Sequence, residues 1–168
     1  RRLRTIIDLV PSSIFVKNIN GKFLAVNLTM TKNLGLEIHD IIGKHQWEIY
    51  NHPDLVDKMI EEDRVVIETG LPMEIAEEKY PDSTGKFIWQ KTVKVPCPED
   101  LFGEPAVLGI ATDITGIKKA EERLYNINKE LMRHKLNLED LVSERTLKLQ
   151  QSLDYLRLAQ DKLVESEK

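Results

Sequence analysis

The chain has 168 residues, of which 41% are hydrophobic and 31% charged, with a formal net charge of −4 at pH 7. This is enough for one small domain and an additional charged segment. Residues 1–116 contain 13 Lys and Arg against 18 Asp and Glu, and residues 117–168 contain 11 against 10. Because phosphate binding requires a clustered basic surface, we expect no nucleic-acid partner.

Cysteine content and hydropathy indicate the cellular setting. Cys97 is the single cysteine, so no disulfide can form within one chain and a reducing compartment is expected. No apolar stretch approaches the roughly 20 residues of a membrane span, and no signal peptide is recognisable. We therefore expect a cytoplasmic location without direct membrane contact. The missing initial methionine predicts an excised fragment, and a membrane anchor elsewhere in the parent protein is compatible with that.

The first segment, residues 1–12, is predicted to be an amphipathic helix, because its apolar residues recur at helical spacing before Pro11. A domain over residues 13–116 follows. It begins with two apolar runs on either side of Asn20-Gly21, which is a strong hairpin signal.

A helical block and three strands complete this domain. Asn27 is a suitable N-cap for a helix ending at Leu34, and Asp54 for a longer helix ending at Thr69. The three strand-like runs are 73–80, 87–95 and 106–113. Two strands, a block of helices and three more strands predict an α+β fold: a five-stranded antiparallel sheet with helices on one face.

The last segment, residues 117–168, contains neither glycine nor proline, and its apolar residues follow a three-four spacing. This predicts one helix of about 75 Å with a coiled-coil seam. Only another chain can cover such a stripe, so a parallel homodimer through the C-terminal helix is predicted. The seam residues are Leu124, Ile127, Leu131, Leu138, Leu141, Val142, Leu149, Leu153, Leu156 and Leu163.

Four short motifs stand among these elements: Asn18-Ile19-Asn20-Gly21 with Asn27, Asp63-Arg64 with Glu68-Thr69-Gly70, the set Gly85, Trp89, Lys91 and Pro96, and Asp113-Ile114-Thr115. Together with the order of the elements, these motifs resemble the PAS sensor family from Leu3 to Gly116. The resemblance implies a PAS fold in which Asp113, Ile114 and Thr115 couple the sensor to its output.

The tail resembles the helix that joins PAS domains to the catalytic modules of bacterial sensor histidine kinases. Residues 141–146 are similar to the signalling-helix signature, and residues 163–168 to the approach to the phosphoacceptor helix. The resemblance implies a two-component phosphorelay whose parent protein binds ATP and a response regulator. Residues 1–168 themselves are expected to catalyse nothing, since they carry no nucleophile elbow, phosphate loop or paired-carboxylate motif.

The seam contains an irregularity. The register through Leu141 and the register through Val142 differ by one residue, so joining them requires one extra four-residue step, a stutter, between Leu138 and Arg145. A stutter can hold two registers of similar energy, which predicts a switch formed by Glu144, Arg145 and Thr146. The alternative is a static dimerisation rod.

The family resemblance also implies a cavity between sheet and helices that could hold a small-molecule ligand. Most candidate residues would be core in any fold, so a filled structural core is the alternative. The candidates are Val16, Met30, Leu34, Trp47, Ile49, Met59, Ile75, Trp89, Val93 and Ile110.

No metal, haem or flavin cofactor is expected. His39, His45 and His52 lie where haem-binding members of the family place their iron ligand, but their spacing fits no zinc pattern, and surface histidines are favoured. Light sensors with covalent flavin need a cysteine in that region, whereas Cys97 follows the tryptophan strand.

Two functions remain open. The favoured one is the sensory and dimerisation module of a sensor histidine kinase. The other is a dimerisation scaffold for a different output, such as a nucleotide cyclase or a transcriptional regulator.

Overall fold

The computed structural model describes residues 2–81 and 84–166, with side chains up to residue 163. Residue 1, residues 82–83 of the predicted turn and the last two residues of the predicted tail lie outside the described residues. In chain order the described elements are α1 (Arg2–Leu9), β1 (Ser13–Asn18), β2 (Phe23–Val26), α2 (Leu28–Leu34), α3 (Ile38–Ile41), α4 (Gln46–Ile49), α5 (Pro53–Thr69), β3 (Met73–Pro81), β4 (Phe87–Cys97), α6 (Glu99–Phe102), β5 (Ala106–Asp113) and α7 (Thr115–Ser166).

The strands form one five-stranded sheet in the order β2-β1-β5-β4-β3. Every neighbouring pair is antiparallel. Helix α2 contacts β1, and α5 contacts β4 and β5. The predicted fold class is confirmed, and the first and last strands of the domain, β1 and β5, are neighbours in the sheet.

The predicted hairpin joins β1 to β2. The Asn18 side-chain oxygen accepts hydrogen bonds from the backbone nitrogens of Asn20 at 3.1 Å and Lys22 at 3.0 Å. Gly21 has φ +79°, and a Cβ there would lie 2.8 Å from Nε2 of Gln46. Glycine is therefore required both by the backbone conformation and by the close approach of α4.

Helix α2 begins and ends where the sequence predicts. The side-chain oxygen of Asn27, the N-cap, accepts hydrogen bonds from Met30 N at 3.0 Å and from Ile14 N at 2.9 Å. Its amide nitrogen donates to the Ile7 carbonyl at 3.0 Å. Gly35 ends the helix with φ 67°. One buried asparagine thus joins α1, β1 and α2.

Helix α5 begins slightly earlier than predicted. The N-cap is His52, two residues before the predicted Asp54, and Pro53 is the first helical residue. The reason is that proline has no N–H to satisfy and its fixed φ suits the first helical position. Gly70 ends the helix at φ 66°, and the buried residues are Val56, Asp63 and Val66.

The apolar core lies between the sheet and the helices. It consists of Phe15, Phe23, Val26, Met30, Ile41 and Ala111. Phe15 pairs with Gly109 across β1 and β5, and a Cβ at position 109 would lie 2.1 Å from the Phe15 ring. The Phe15 ring therefore lies directly against the β5 backbone, where only glycine leaves room.

The chain divides into two compact units, Arg1–Lys118 and Lys119–Lys168. Within the second unit, α7 is helical to Ser166, and the predicted seam residues are exposed in a single chain. Their pairing with a second copy stays a prediction. None of the helices in the described ranges combines the length and apolarity needed to cross a bilayer.

Candidate functional site

The junction between β5 and α7 is a hydrogen-bonded corner built from the three predicted coupling residues. Ile114 N donates to the Trp89 carbonyl at 2.8 Å, and Trp89 N donates to Thr115 Oγ1 at 2.9 Å. Asp113 Oδ1 accepts from Thr115 N at 2.8 Å. The carboxylate thereby satisfies one of the unpaired N–H groups at the start of α7.

Charged side chains add to this corner. Lys118, one turn into α7, forms an ion pair with Glu77 of β3 and lies 5.9 Å from the centre of the Trp89 ring. Lys79 lies 5.1 Å from the same ring. Such contacts stabilise by about 0.5–1 kcal/mol each where they are exposed. The first turn of α7 is therefore bonded to both β3 and β4.

Four of the ten predicted cavity residues face away from the helices. Side chains alternate along a strand, and Lys17 and Lys94 make their bonds to α4 and α5. Val16 and Val93, which adjoin these lysines in sequence, must therefore point to the opposite face. The prediction is also wrong for two more residues. Trp89 lies four positions before Val93 on β4 and shares its face, and Ile110 adjoins the core residue Ala111 on β5 and so points to the opposite face.

The other six predicted cavity residues are spread over the helical side. Trp47 is 46% exposed. Ile49 packs against the core cluster, and Ile75 pairs with Thr92 across β3 and β4. The remaining three line cavities: Met59 a cavity of about 30 Å³, and Met30 and Leu34 a cavity of about 210 Å³. Ligand binding by these residues stays a prediction.

A buried ionic cluster occupies the place where the apolar cavity was expected. Lys17 Nζ lies 2.6 Å from Asp63 Oδ2, and Lys94 Nζ lies 2.7 Å from Asp63 Oδ1. Lys94 also pairs with Glu62 at 2.9 Å, and Gln46 accepts a hydrogen bond from Lys17 at 2.9 Å. The cluster connects β1 and β4 to α4 and α5.

The charged side chains of the cluster are almost completely removed from water, which costs free energy that their mutual attraction offsets. The side chains of Lys17, Lys94 and Asp63 are 3%, 3% and 1% exposed. Burial lowers the pKa of Lys17 to about 8, and the attraction of Asp63 acts against this. Beside the cluster the 30 Å³ cavity has room for about one water molecule. A larger ligand does not fit there.

Sequence reasoning missed this cluster, although a signal was present. Side chains two residues apart on a strand point to the same face. Lys17 follows Phe15 by two residues and Lys94 follows Thr92 by two, so both lysines occupy positions that face the helices. A lysine at such a position must be paired with a carboxylate.

The larger cavity, which we call the junction cavity, lies between α2 and the sheet. Its walls come from α2 through Met30, Lys32, Asn33 and Leu34. The sheet contributes Ser13, Tyr80, Ile88 and Asp113, and Tyr50 follows α4. The cavity therefore adjoins the residue that caps α7.

Two tyrosines close one end of the junction cavity. The rings of Tyr50 and Tyr80 meet edge to face with centres 5.7 Å apart. Burial raises the pKa of Tyr50 to about 12, and burial together with the neighbouring Tyr50 raises the pKa of Tyr80 above its usual range. Both phenols are therefore uncharged at physiological pH.

The remaining reactive side chains do not assemble into a site. Within residues 2–81 and 84–166, no group of three or more His, Cys, Asp or Glu side chains is arranged to hold a metal ion. Burial raises the pKa of the Cys97 thiol, which lowers its thiolate fraction and its reactivity.

Comparison with known proteins identifies the fold family. The PAS fold family profile matches residues 7–119, more than half of the chain. The chain belongs to the PAS family. The PAS domain from Bordetella pertussis BvgS superposes with a TM-score of 0.56 at 21% identity, covering 77% of this chain and 96% of that one. This PAS domain thus shares its fold with a solved PAS domain.

Two curated proteins are similar in sequence to about two thirds of this chain. A diguanylate cyclase of Vibrio cholerae is 30% identical over 115 residues, which are 68% of this chain and 36% of the relative. The methanogenesis regulatory histidine kinase FilI of Methanothrix harundinacea is 29% identical over 120 residues, which are 71% of this chain and 13% of the relative. The chain thus spans well under half of either protein. It is a PAS sensory domain, a module of signalling proteins.

Proposed function

We propose that this chain is the sensory and dimerisation module of a sensor histidine kinase. A signal received by the PAS domain passes through Asp113-Ile114-Thr115 to α7. The helix, paired with a second copy, then controls ATP-dependent autophosphorylation in a domain beyond residue 168, from which the phosphoryl group passes to a response regulator. The resemblance of residues 141–146 and 163–168 to the connecting helix of such kinases supports this output.

One observation carries the proposal. Strand β5 ends at Asp113 and helix α7 begins at Thr115, so a single residue, Ile114, separates the sensor sheet from the helix. The hydrogen bonds of Ile114 and Thr115 to Trp89 leave this connection no flexible linker. A displacement of β4 or β5 must therefore act on the first turn of α7.

The decisive experiment replaces Asp113 in the complete parent kinase and measures autophosphorylation with labelled ATP. Asp113→Ala removes the acceptor of the Thr115 N–H, and we expect a severalfold change in rate with the PAS domain still folded. Asp113→Asn is the matched control, because asparagine is an equally good helix cap. If Asp113→Ala lost about 1 kcal/mol in stability but responded normally to the signal, Asp113 would act only as a helix cap and not in signal transmission.

Dimerisation through α7 is a separate part of the proposal. The seam side chains of α7 are exposed in one chain, with Leu131 and Leu156 at 60% and 62%. A stripe of leucines of this length is stable in water only when a second helix covers it. Sedimentation at tens of micromolar should give a dimer for residues 1–168 and a weaker one for residues 1–118. A monomeric full chain would contradict this part.

A diguanylate cyclase output is the second candidate, and the Vibrio cholerae relative is the observation that favours it. The sensor, the junction and the dimer helix would act in the same way, and only the catalytic domain would differ. The parent protein incubated with ATP should acquire an acid-labile phosphohistidine if it is a kinase. Production of a cyclic dinucleotide from GTP would favour the cyclase instead.

A further inference from the structure

The carboxylate of Asp63 joins two strands that are not neighbours in the sheet. One oxygen lies 2.6 Å from Lys17 Nζ of β1, and the other lies 2.7 Å from Lys94 Nζ of β4. Strand β5 runs between β1 and β4, with Val107 paired to Lys17 and Gly109 paired to Lys94. A single side chain of α5 therefore spans the strand that leads into α7.

Lys17 carries a charge that depends on pH near neutrality. Burial lowers its pKa to about 8, and the nearby charge of Lys94 acts in the same direction. Asp63 favours the charged form, and so do the rings of Phe15 and Phe23, whose centres lie 4.7 and 5.8 Å from Nζ. About nine-tenths of Lys17 is therefore charged at pH 7 and about one-tenth at pH 9.

The groups around Lys17 determine what the loss of its proton changes. The charged and titratable side chains come from α5, β4, β3 and the residue after α4: Asp63 and Glu62, Lys94, Glu78, and Tyr50. The other surrounding elements present uncharged groups: Gln46 of α4, the rings of Phe15 and Phe23, and Ala111 of β5. Glu78 is paired with Lys58 at 3.2 Å, and Tyr50, with a pKa of about 12, stays neutral. Loss of the proton therefore leaves one ammonium, Lys94, beside the two carboxylates of α5.

A route for the proton connects Lys17 to solvent. The cavity of about 30 Å³ beside Lys17 has room for about one water molecule, and its walls include Glu62 and Glu78. These carboxylates are 15% and 13% exposed, and both pair with Lys58, which is 52% exposed. The proton of Lys17 can therefore exchange with solvent while the domain stays folded.

We propose that the ionic cluster is a pH-sensitive switch, in which loss of the Lys17 proton releases β1 from Asp63 and thereby shifts β5 at the start of α7. A neutral amine keeps only an ordinary hydrogen bond to Asp63, about half as strong as the charge-assisted one. Helix α5 then stays bonded to the β4 side of β5 and is released from the β1 side. The consequence for signalling rests on the proposed function, because only Ile114 separates β5 from α7.

The test follows carbon-13 NMR signals of the 168-residue chain between pH 7 and pH 10. The Cε signal of Lys17 reports its own proton, and the Cα and Cβ signals of Thr115 report the start of α7. Carbon detection is unaffected by the rapid exchange of backbone N–H groups at high pH. We expect the Lys17 and Thr115 signals to shift with the same midpoint, near pH 8.

Three variants separate the switch from general effects of pH. Lys17→Met resembles the uncharged lysine, so Thr115 should show its high-pH signals throughout and its titration should disappear. Lys17→Arg stays charged over this range, so Thr115 should keep its low-pH signals. Lys44→Met removes an exposed lysine and should retain the full titration of Thr115. The shared midpoint in the wild type needs no variant and decides the question even if a variant does not fold.

Three results would overturn the proposal: a Lys17 midpoint near pH 10, Thr115 signals that do not move with those of Lys17, or an unchanged Thr115 titration in a folded Lys17 variant. The signals are read on a chain without an output domain, so their failure leaves the kinase proposal in place. A parent protein without kinase activity would contradict the proposed function but not a coupled titration of Lys17 and Thr115.

Discussion

The hydroxyl oxygen of Thr115 accepts a hydrogen bond of 2.9 Å from the backbone nitrogen of Trp89, so the first residue of α7 is bonded to β4, the strand beside β5. The same residue donates its own N–H to Asp113. The start of the helix is thereby part of the hydrogen-bonding pattern of the sheet. Strand and helix are joined by directional bonds as well as by the covalent chain.

Replacing Thr115 by valine should loosen this join. The variant keeps the shape of the side chain but leaves the Trp89 N–H without its acceptor, and we expect a loss of about 1 kcal/mol in the free energy of unfolding. Chemical denaturation followed by tryptophan fluorescence measures it. Thr146→Val is the control, because the Thr146 hydroxyl donates to Val142 O within the same helix. If both variants lost the same free energy of unfolding, the hydrogen bond between Thr115 and Trp89 would contribute no more than an ordinary bond within the helix.

Gly109 should tolerate no side chain. A Cβ there would lie 2.1 Å from the Phe15 ring, so Gly109→Ala should cost about 3 kcal/mol or prevent folding. Gly116→Ala is the matched control. No atom lies within 4 Å of its added Cβ, and alanine should stabilise this helical position by up to about 1 kcal/mol.

A double variant separates steric overlap from backbone strain at position 109. Phe15→Leu removes the ring, so the combination with Gly109→Ala should be less destabilising than the sum of the two single changes. Simple additivity in thermal unfolding would show that the overlap with Phe15 is not the cause.

The ionic cluster should give the PAS domain an unusual pH dependence. The pKa of Lys17 is about 8 in the folded chain against 10.5 for the free side chain, so between these values the unfolded chain binds more protons. Stability due to this group therefore rises with pH through that window, by up to about 3 kcal/mol. In urea denaturation, the free energy of unfolding of the wild type should rise between pH 8 and pH 10 relative to that of Lys17→Met.

The control for this prediction is an exposed ion pair. Lys44 and Glu48 pair at 3.2 Å with side chains about half exposed, so Lys44→Met should leave the free energy of unfolding nearly unchanged at either pH. Parallel pH profiles of wild type and Lys17→Met would contradict the prediction, since they would place the pKa of Lys17 near its ordinary value.

The stutter in α7 should hold two seam registers. Leu141→Cys and Val142→Cys, each in a Cys97→Ser background, report the two registers by disulfide crosslinking between copies. Arginine in a seam is costly unless its head reaches water, so the Val142 register should dominate in the absence of stimulus. Arg145→Leu should shift crosslinking toward position 141 and alter the balance of kinase and phosphatase output. A crosslinking ratio that is the same under all conditions would indicate a passive rod.

Much of the fold could be predicted because local signals agree with it. Asn27 and Gly35 mark the ends of α2 through a side-chain cap and a left-handed backbone, and both act within a few residues. Asn20-Gly21 sets the hairpin for the same reason. The N-cap of α5 was predicted two residues too late, at Asp54 instead of His52, because Pro53 and Asp54 both carry helix-start signals, and the missing N–H of proline favours Pro53 as the first helical residue.

The residues of the candidate site were harder to predict than the fold. An apolar side chain in a strand does not indicate which of the two faces of the sheet the helices cover. Val93 and Thr92 are neighbours, yet Thr92 faces the helices and the apolar Val93 does not. An apolar residue can be half-buried on either face, so the predicted cavity mixed residues of both faces.

The sequence by itself determined the order of strands and helices along the chain, both caps of α2, the hairpin turn between β1 and β2, and the uninterrupted helix from Ile117 onward, because each depends on residues within about one helical turn of one another. Only the tertiary structure decided that Lys17 and Lys94 meet Asp63, that Phe15 requires glycine at position 109, and that the junction cavity ends at Asp113. The contacts of Asp63 with the two lysines and of Phe15 with Gly109 join residues 31 to 94 positions apart along the chain. Their register follows from sheet pairing and helix packing, which no local pattern encodes.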